Sequence, residues 1–160
     1  MAQEGKRIDE SRLTLSAVMG PQHTNNHGNV HGGVIMKMVD EAAGYAAMRH
    51  AGRPVVTVAV DSMTFMHPVH VRMLVLCRAE LTCVGRKSME IRVEVIAENP
   101  IEGTSQLTNT AYLVFVALGD DGRPVSVPPL IYETDEERHR AKLAEERQAY
   151  RKAQRAREQE

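Results

Sequence analysis

"NVHGGVIMKMVD", residues 29–40, decides how the rest of the chain is read. An asparagine and a histidine precede two glycines, and an apolar periodic run then carries an acid, Asp40, at its seventh position. From Gly33 to about His50 the residues Val34, Ile35, Met38, Val39, Ala42, Ala43, Ala46 and Ala47 recur at helical spacing, and Gly52 and Pro54 of "HAGRP" end the pattern. The spacing predicts one long central helix. On it, at about 100° per residue, the surface neighbours of Asp40 are Met36, Ala43, Gly44 and Ala47, which puts the acid at the edge of the apolar face. Glycine inside a helix costs about 1 kcal/mol relative to alanine, so Gly44 predicts that a backbone or a ligand comes close to that face. The plainer expectation for Asp40 is a surface ion pair with Lys37, one turn earlier.

The start of the helix has its own chemistry. Gly32 and Gly33 leave first-turn N–H groups open at the positive end of the helix dipole, where an anion or a developing oxyanion is favoured. Asn29 offers a donor and an acceptor that do not titrate, enough to hold a carbonyl or an attacking water, although an Asn here also suits a turn or cap. Gly33 and Asp40 stand ~10 Å apart along one helix, too far to address one carbonyl together. Two chains related by a two-fold axis, with their central helices antiparallel, would set the Asn-Gly-Gly end of one opposite Asp40 of the other. The expectation is a homodimer with shared sites.

Outward from the helix, four strand-like runs follow, at 55–65, 72–83, 88–98 and 107–118. The third alternates most clearly: Met89, Ile91, Val93, Val95 and Ala97 take one face, Glu90, Arg92, Glu94 and Glu98 the other, as in an antiparallel sheet with one wet side. "VGRKS" and "NPIEG" are short enough to be hairpin links. Residues 1–28 read as polar and irregular, and the tail after "VPPL" as a solvated charged helix with almost no apolar residues. One long helix before an antiparallel sheet is α+β.

At 160 residues and 17.8 kDa the chain suits a single domain. A formal net charge of −1 gives no overall field for nucleic acid or an anionic membrane. There is no 18-residue apolar stretch, and "MAQEGKRIDE" shows no hydrophobic segment after its positive charges, so neither a membrane span nor a secretory signal is expected and the cytoplasm is the default. Cys77 and Cys83 fall in one strand run, roughly 20 Å apart, and read as reduced core thiols. His23, His27 and His31 would align as metal ligands only on a helix, which Asn25, Asn26 and Gly28 oppose, so no metal is expected.

"GNVHGGVIMKMVDEAAGYAAMRHAG" (28–52), followed in order by "VVTVAVDSMTF" (55–65), "GRKSMEIRVEV" (85–95) and "SVPPL" (126–130), resembles the acyl-CoA thioesterases of the hotdog fold, above all the acyl-CoA hydrolases called the brain or cytosolic type. The resemblance covers residues 12–135, leaving 1–11 as an N-terminal tail and 136–160 as a charged C-terminal helix or tail. It implies an antiparallel sheet wrapped around the central helix, two such units paired as a double-hotdog dimer, and hydrolysis of acyl-CoA thioesters at the interface. It also implies that Asn29 and Asp40 form the catalytic pair, drawn from opposite units, and it allows assembly into trimers of dimers.

The residues suit that chemistry. Asp40 is expected to act as general base on water or as nucleophile, Asn29 to orient water or substrate, and the Gly33 N–H to polarise the thioester carbonyl. His31 and Gly32 are candidate substrate contacts, and the turn Arg86, Lys87, Ser88 is the candidate grip on coenzyme A phosphates, against its plain reading as solvated surface. Coenzyme A is part of substrate and product, and no cofactor is expected. Two rivals are an enoyl-CoA hydratase of the same fold, which His31 keeps open, and a non-catalytic acyl-CoA binder, for which the 28 residues before Asn29 leave no room for a fused DNA-binding module.

Overall fold

A computed structural model describes residues 2–160. The predicted central helix is present as α1, Gly32–Ala51. Its start is fixed by His31, whose side chain accepts from the Gly33 N–H, and its end by Gly52 at φ 65°, the left-handed conformation that glycine adopts without strain. Around it runs an antiparallel sheet of β2 (Leu13–Val18), β4 (Leu74–Val84), β5 (Ser88–Asn99), β6 (Thr104–Leu118) and β3 (Val55–Val60), in that spatial order. A short β7 (Pro124–Val125) pairs with β6, and β1 (Lys6–Arg7) pairs in parallel with β8 (Leu130–Ile131). The result is the α+β hotdog arrangement, a long helix cradled by a curved sheet.

The core lies between α1 and the inner face of the sheet. The small helix residues Ala42, Ala43, Gly44, Ala46 and Ala47 let the strands approach closely, and Met89, Ile91, Val93 and Val95 of β5 face them, all buried. Phe115 of β6 faces them as well; its ring lies 3.4 Å from where a Gly44 Cβ would stand, so the close approach that Gly44 announces is made by this core side chain. Cys77 belongs to the same core, and burial pushes its thiol up to about 12.

Four features depart from the expectations. Residues 13–18 form β2, paired with β4 along its whole length, where 1–28 read as irregular; Leu13, Leu15 and Ala17 alternate inward, a period too short to stand out in a polar stretch. The first predicted strand ends at Val60 instead of Phe65, after a bulge that sets both Val58 and Ala59 against Val114 and so resets the alternation. The second begins at Leu74, because Arg72 takes φ 75°. Finally, the outer face of the sheet is not simply wet. The C-terminal helix α2 (Asp135–Glu158), capped by Thr134, lies over it, with Ala141 and Ala144 buried and with Arg147 and Arg151 bonded to Glu90, itself only 4% exposed.

Candidate active site

Asp40 stands on the exposed flank of α1, two turns beyond the helix start. Lys37 does not hold it: that lysine pairs with Glu41. Its partner is Thr57 of β3, whose hydroxyl donates to Asp40 Oδ1 at 2.7 Å. Thr57 faces inward because it precedes the Val58 bulge and pairs with inward-facing Phe115. One carboxylate oxygen is thus fixed by a neutral donor, and the other is left to act.

At the N-terminus of α1, Gly32 lies beneath Phe65 of the loop that follows β3; a Cβ on Gly32 would stand 3.5 Å from that ring. The Gly33 N–H, the expected carbonyl donor, is bonded to His31 Nδ1 at 2.9 Å. Met36, one turn along α1, and Phe65 and Met66 of that loop are all exposed.

Asn29 is in the loop before the helix, bridged to His70 and bonded through its backbone to Asn25. The Asn25 side chain caps this loop by accepting from the backbone N–H groups of His27 and Asn29, and Gly28 completes the turn at φ 80°. Val30 is tied to Val69 and His31 to His23, so the loop is anchored on both sides. Arg86, Lys87 and Ser88 form the tight β4–β5 turn, closed by the Gly85 N–H donating to the Ser88 carbonyl. That turn is separate from Asp40: Ser88 pairs with Val116 and Val116 with Val56, so it lies two strand spacings from β3, ~10 Å across the sheet. Gly85 and Ser88 border an outer-face cavity of about 280 Å³ with Val58, Gln148, Lys152 and Arg155.

The structure therefore brings Asp40 together with Thr57, and His31 with Gly32 and Gly33, while the asparagine loop and the basic turn stand apart. The sequence did not mark Thr57 as the partner of Asp40, its only signal being a polar residue in a run of valines, nor Asn25 as the side chain that caps the loop before the helix. The edge strand β3 carries Val56, Val58 and Val60 at 41%, 42% and 47% exposure, next to the Thr57–Asp40 bond. Among the described residues no group of three or more His, Cys, Asp or Glu could hold a metal ion, and no helix is long and apolar enough to cross a membrane.

Comparison with known proteins adds the family. The model of the thioesterase superfamily matches residues 27–104. The uncharacterized acyl-CoA thioester hydrolase YkhA of Bacillus subtilis is 38% identical over 134 residues, 84% of this chain and 78% of its own. Mammalian cytosolic acyl coenzyme A thioester hydrolases match too, but they are longer proteins, of which the chain spans 36% in the rat. Among solved structures, an apo-hexameric acyl-CoA thioesterase superposes with a TM-score of 0.92 at 32% identity, covering 96% of this chain and 99% of that one. The acyl-CoA hydrolase of Staphylococcus aureus, solved with butyryl coenzyme A, coenzyme A and coenzyme A disulfide, gives 0.89 at 34% identity over 96% of this chain and 94% of its own. The same hydrolase has been solved with an aspartate, an asparagine and a threonine each replaced by alanine, the asparagine 15 residues before the aspartate and the threonine 17 after it. Counted from Asp40 in this chain, those places hold Asn25 and Thr57.

Proposed function

The chain belongs to the thioesterase superfamily and is an acyl-CoA thioester hydrolase, and from that premise we propose how its residues perform the reaction. The observation that carries the reading is the Asp40 carboxylate, exposed, oriented by Thr57 and standing beside an open edge strand. Asp40 Oδ2 takes a proton from water as the hydroxide oxygen bonds to the thioester carbon. The carbonyl π electrons move onto oxygen, and the Gly33 N–H donates to that oxyanion. As the oxyanion collapses, the C–S bond breaks and the departing thiolate takes the proton back from Asp40, leaving a fatty acid and coenzyme A. Because His31 Nδ1 holds the Gly33 N–H, the substrate carbonyl displaces that ring on binding. Only water is consumed, so no cofactor enters.

The site is completed by a second copy. Asp40 of one protomer meets the helix start and asparagine loop of its partner, with the two exposed β3 edges at the junction. Two asparagines compete for the role of orienting water: Asn29, nearest the glycines, and Asn25, which sits at the spacing found in the Staphylococcus protein. The spacing favours Asn25, with Asn29 bonded to it as support. Arg86, Lys87 and Ser88 take the coenzyme A phosphates, and His31 and Gly32 border the acyl group. Assembly of three such dimers is the arrangement we assign, in keeping with a hexameric relative, and a cytoplasmic setting suits a substrate dissolved there. The hydratase and the non-catalytic binder find no support among the named relatives.

The test is thiol release from acyl-CoAs by Asp40→Ala, Asn25→Ala and Asn29→Ala, each alone and in recombined mixtures. Asp40→Ala and Asn25→Ala should each be inactive and, mixed and refolded in equal amounts, regain about a quarter of wild-type activity, since half the dimers carry one intact site. No recovery on mixing would place the site within one chain. Recovery with Asn29→Ala, but full activity in Asn25→Ala, would reverse the assignment of the two asparagines.

A further inference from the structure

The reaction as derived leaves the C-terminal helix without a role, although it is tied to the sheet by a specific set of bonds. Glu90 accepts from the Thr82 hydroxyl at 2.7 Å and from Arg147 at 2.7 and 3.2 Å, and Arg147 also lies over the Tyr112 ring, 3.7 Å from its centroid. Arg151 donates to Glu90 at 3.0 Å with one nitrogen and to Asp61 at 2.8 Å with the other. Asp61 is the first residue after β3, and its own N–H donates to the Tyr112 carbonyl.

That position matters because β3 is the last strand of the chain's own sheet, bonded within the chain on one side only and bulged one residue after Thr57, with its other edge at the dimer junction. On its outer face a groove of about 1000 Å³, lined by Val58, Val60, Tyr112, Leu143 and Tyr150, separates it from α2. Arg151 spans this groove. Two walls of the active site hang from the pinned end: Thr57, four residues before Asp61, and Phe65, four residues after it and resting over Gly32.

We propose that Arg151, anchored by Glu90, and Asp61 are positioning residues: through them α2 fixes the end of β3 and so the places of Thr57 and Phe65 against α1. Both act through β3; Arg151 also borders the cavity of Gly85 and Ser88, and a KM raised in Arg151→Met with kcat unchanged would assign it to coenzyme A instead. The inference rests on the reading of Asp40 and Thr57 as active-site residues. The geometry makes α2 a brace for that end of β3, and without it the bulged strand can tilt against β6 by about 1 Å, enough to misplace the Thr57 hydroxyl that orients Asp40.

The experiment measures kcat, KM and Tm of the full chain for Asp61→Ala, Arg151→Met, their combination, Arg151→Lys and Thr57→Ala. Arg140→Met is the control: Arg140 lies on the same helix and pairs with Glu80 and Glu136, with no link to β3. Expected is a kcat lowered about tenfold in both single variants at temperatures well below Tm, no further loss in the double variant, and partial rescue by Lys. Arg140→Met should lower Tm and leave kcat alone. Asp61→Ala and Arg151→Met with kcat within about twofold of wild type, while Thr57→Ala is impaired, would overturn the brace and leave the active site standing. An unimpaired Thr57→Ala would instead bring down the active-site reading and the brace with it.

Discussion

The two helices lie on opposite faces of one sheet and are held there by different forces. α1 is embedded through alanines and a glycine, with Ala42, Ala43, Ala46 and Ala47 fully buried and the strands pressed close. α2 buries only Ala141 and Ala144 and is held mainly by arginines reaching carboxylates 57 to 90 residues away. The first kind of contact is cumulative and insensitive to angle. The second depends on a few directed bonds, each expensive to leave half-made. The chemistry we propose sits on the rim of the first helix, where apolar packing holds the backbone still while Asp40 stays in reach of water.

The largest effect expected on either helix is at that rim. Asp40→Asn keeps the size and the bond from Thr57 but cannot take a proton, and kcat should fall by about 10³ with little change in Tm. Single-turnover hydrolysis of an acyl-CoA measures it. A loss of tenfold or less would mean that the α1 rim is not where the proton goes.

On the opposite face, Glu90→Gln leaves two arginines facing a neutral group in a nearly closed setting. Unfolding by urea should show a loss of ~2 kcal/mol, discounted from the 3–5 kcal/mol of a fully buried pair because the arginines keep 15% and 25% of their surface in water. Limited proteolysis should cut first within α2. If stability fell while α2 stayed protected, the directed bonds would not be what docks the helix.

The end of α1 lets the comparison be read against pH. His50 is completely buried, its Nε2 bonded to the Pro128 carbonyl at 2.7 Å and its Nδ1 without a partner. Burial lowers its pKa from 6.5, against the carbonyl, which raises it, and with Lys6, which lowers it further. The unfolded chain therefore takes up a proton below about 6.5 while the folded chain resists it. Stability should be unaffected by this group above pH 7 and fall as pH drops below 6.5, by at most ~1.4 kcal/mol per pH unit until the folded histidine titrates. His50→Gln should flatten that part of the curve of unfolding free energy against pH.

What could be read in the sequence follows the same division. α1 and β5 were legible because their burial repeats at 3.6 and 2 residues, and the segment carrying Asp40 was found by that period. β2 was not, since six residues with three inward apolar side chains look like any polar stretch until β4 is beside them. α2 was legible as a helix but not as a docked one, because nothing local marks Arg147 and Arg151 as facing Glu90 and Asp61. Thr57 needed the helix 17 residues before it to be folded back alongside, and Asn25 looked like the turn residue that its hydrogen bonds show it to be.

The smallest expected effect falls on the residue that first suggested a close approach. Gly44→Ala adds a methyl that meets Phe115 at 3.4 Å and 3.8 Å, ordinary contact distances, and it removes a glycine from a helix interior. The helix should gain up to ~1 kcal/mol from propensity, and the contact should neither add nor subtract much, so the variant should be as stable as wild type or slightly more so. A larger side chain differs: Gly44→Val drives branches into the ring and should cost roughly 1–3 kcal/mol by overpacking a dense core. Urea midpoints of the two variants decide the point. If alanine itself destabilised by more than about 1 kcal/mol, the sheet would already be at its limit of approach over α1, and Gly44 would be required by packing just as Glu90 is required by charge.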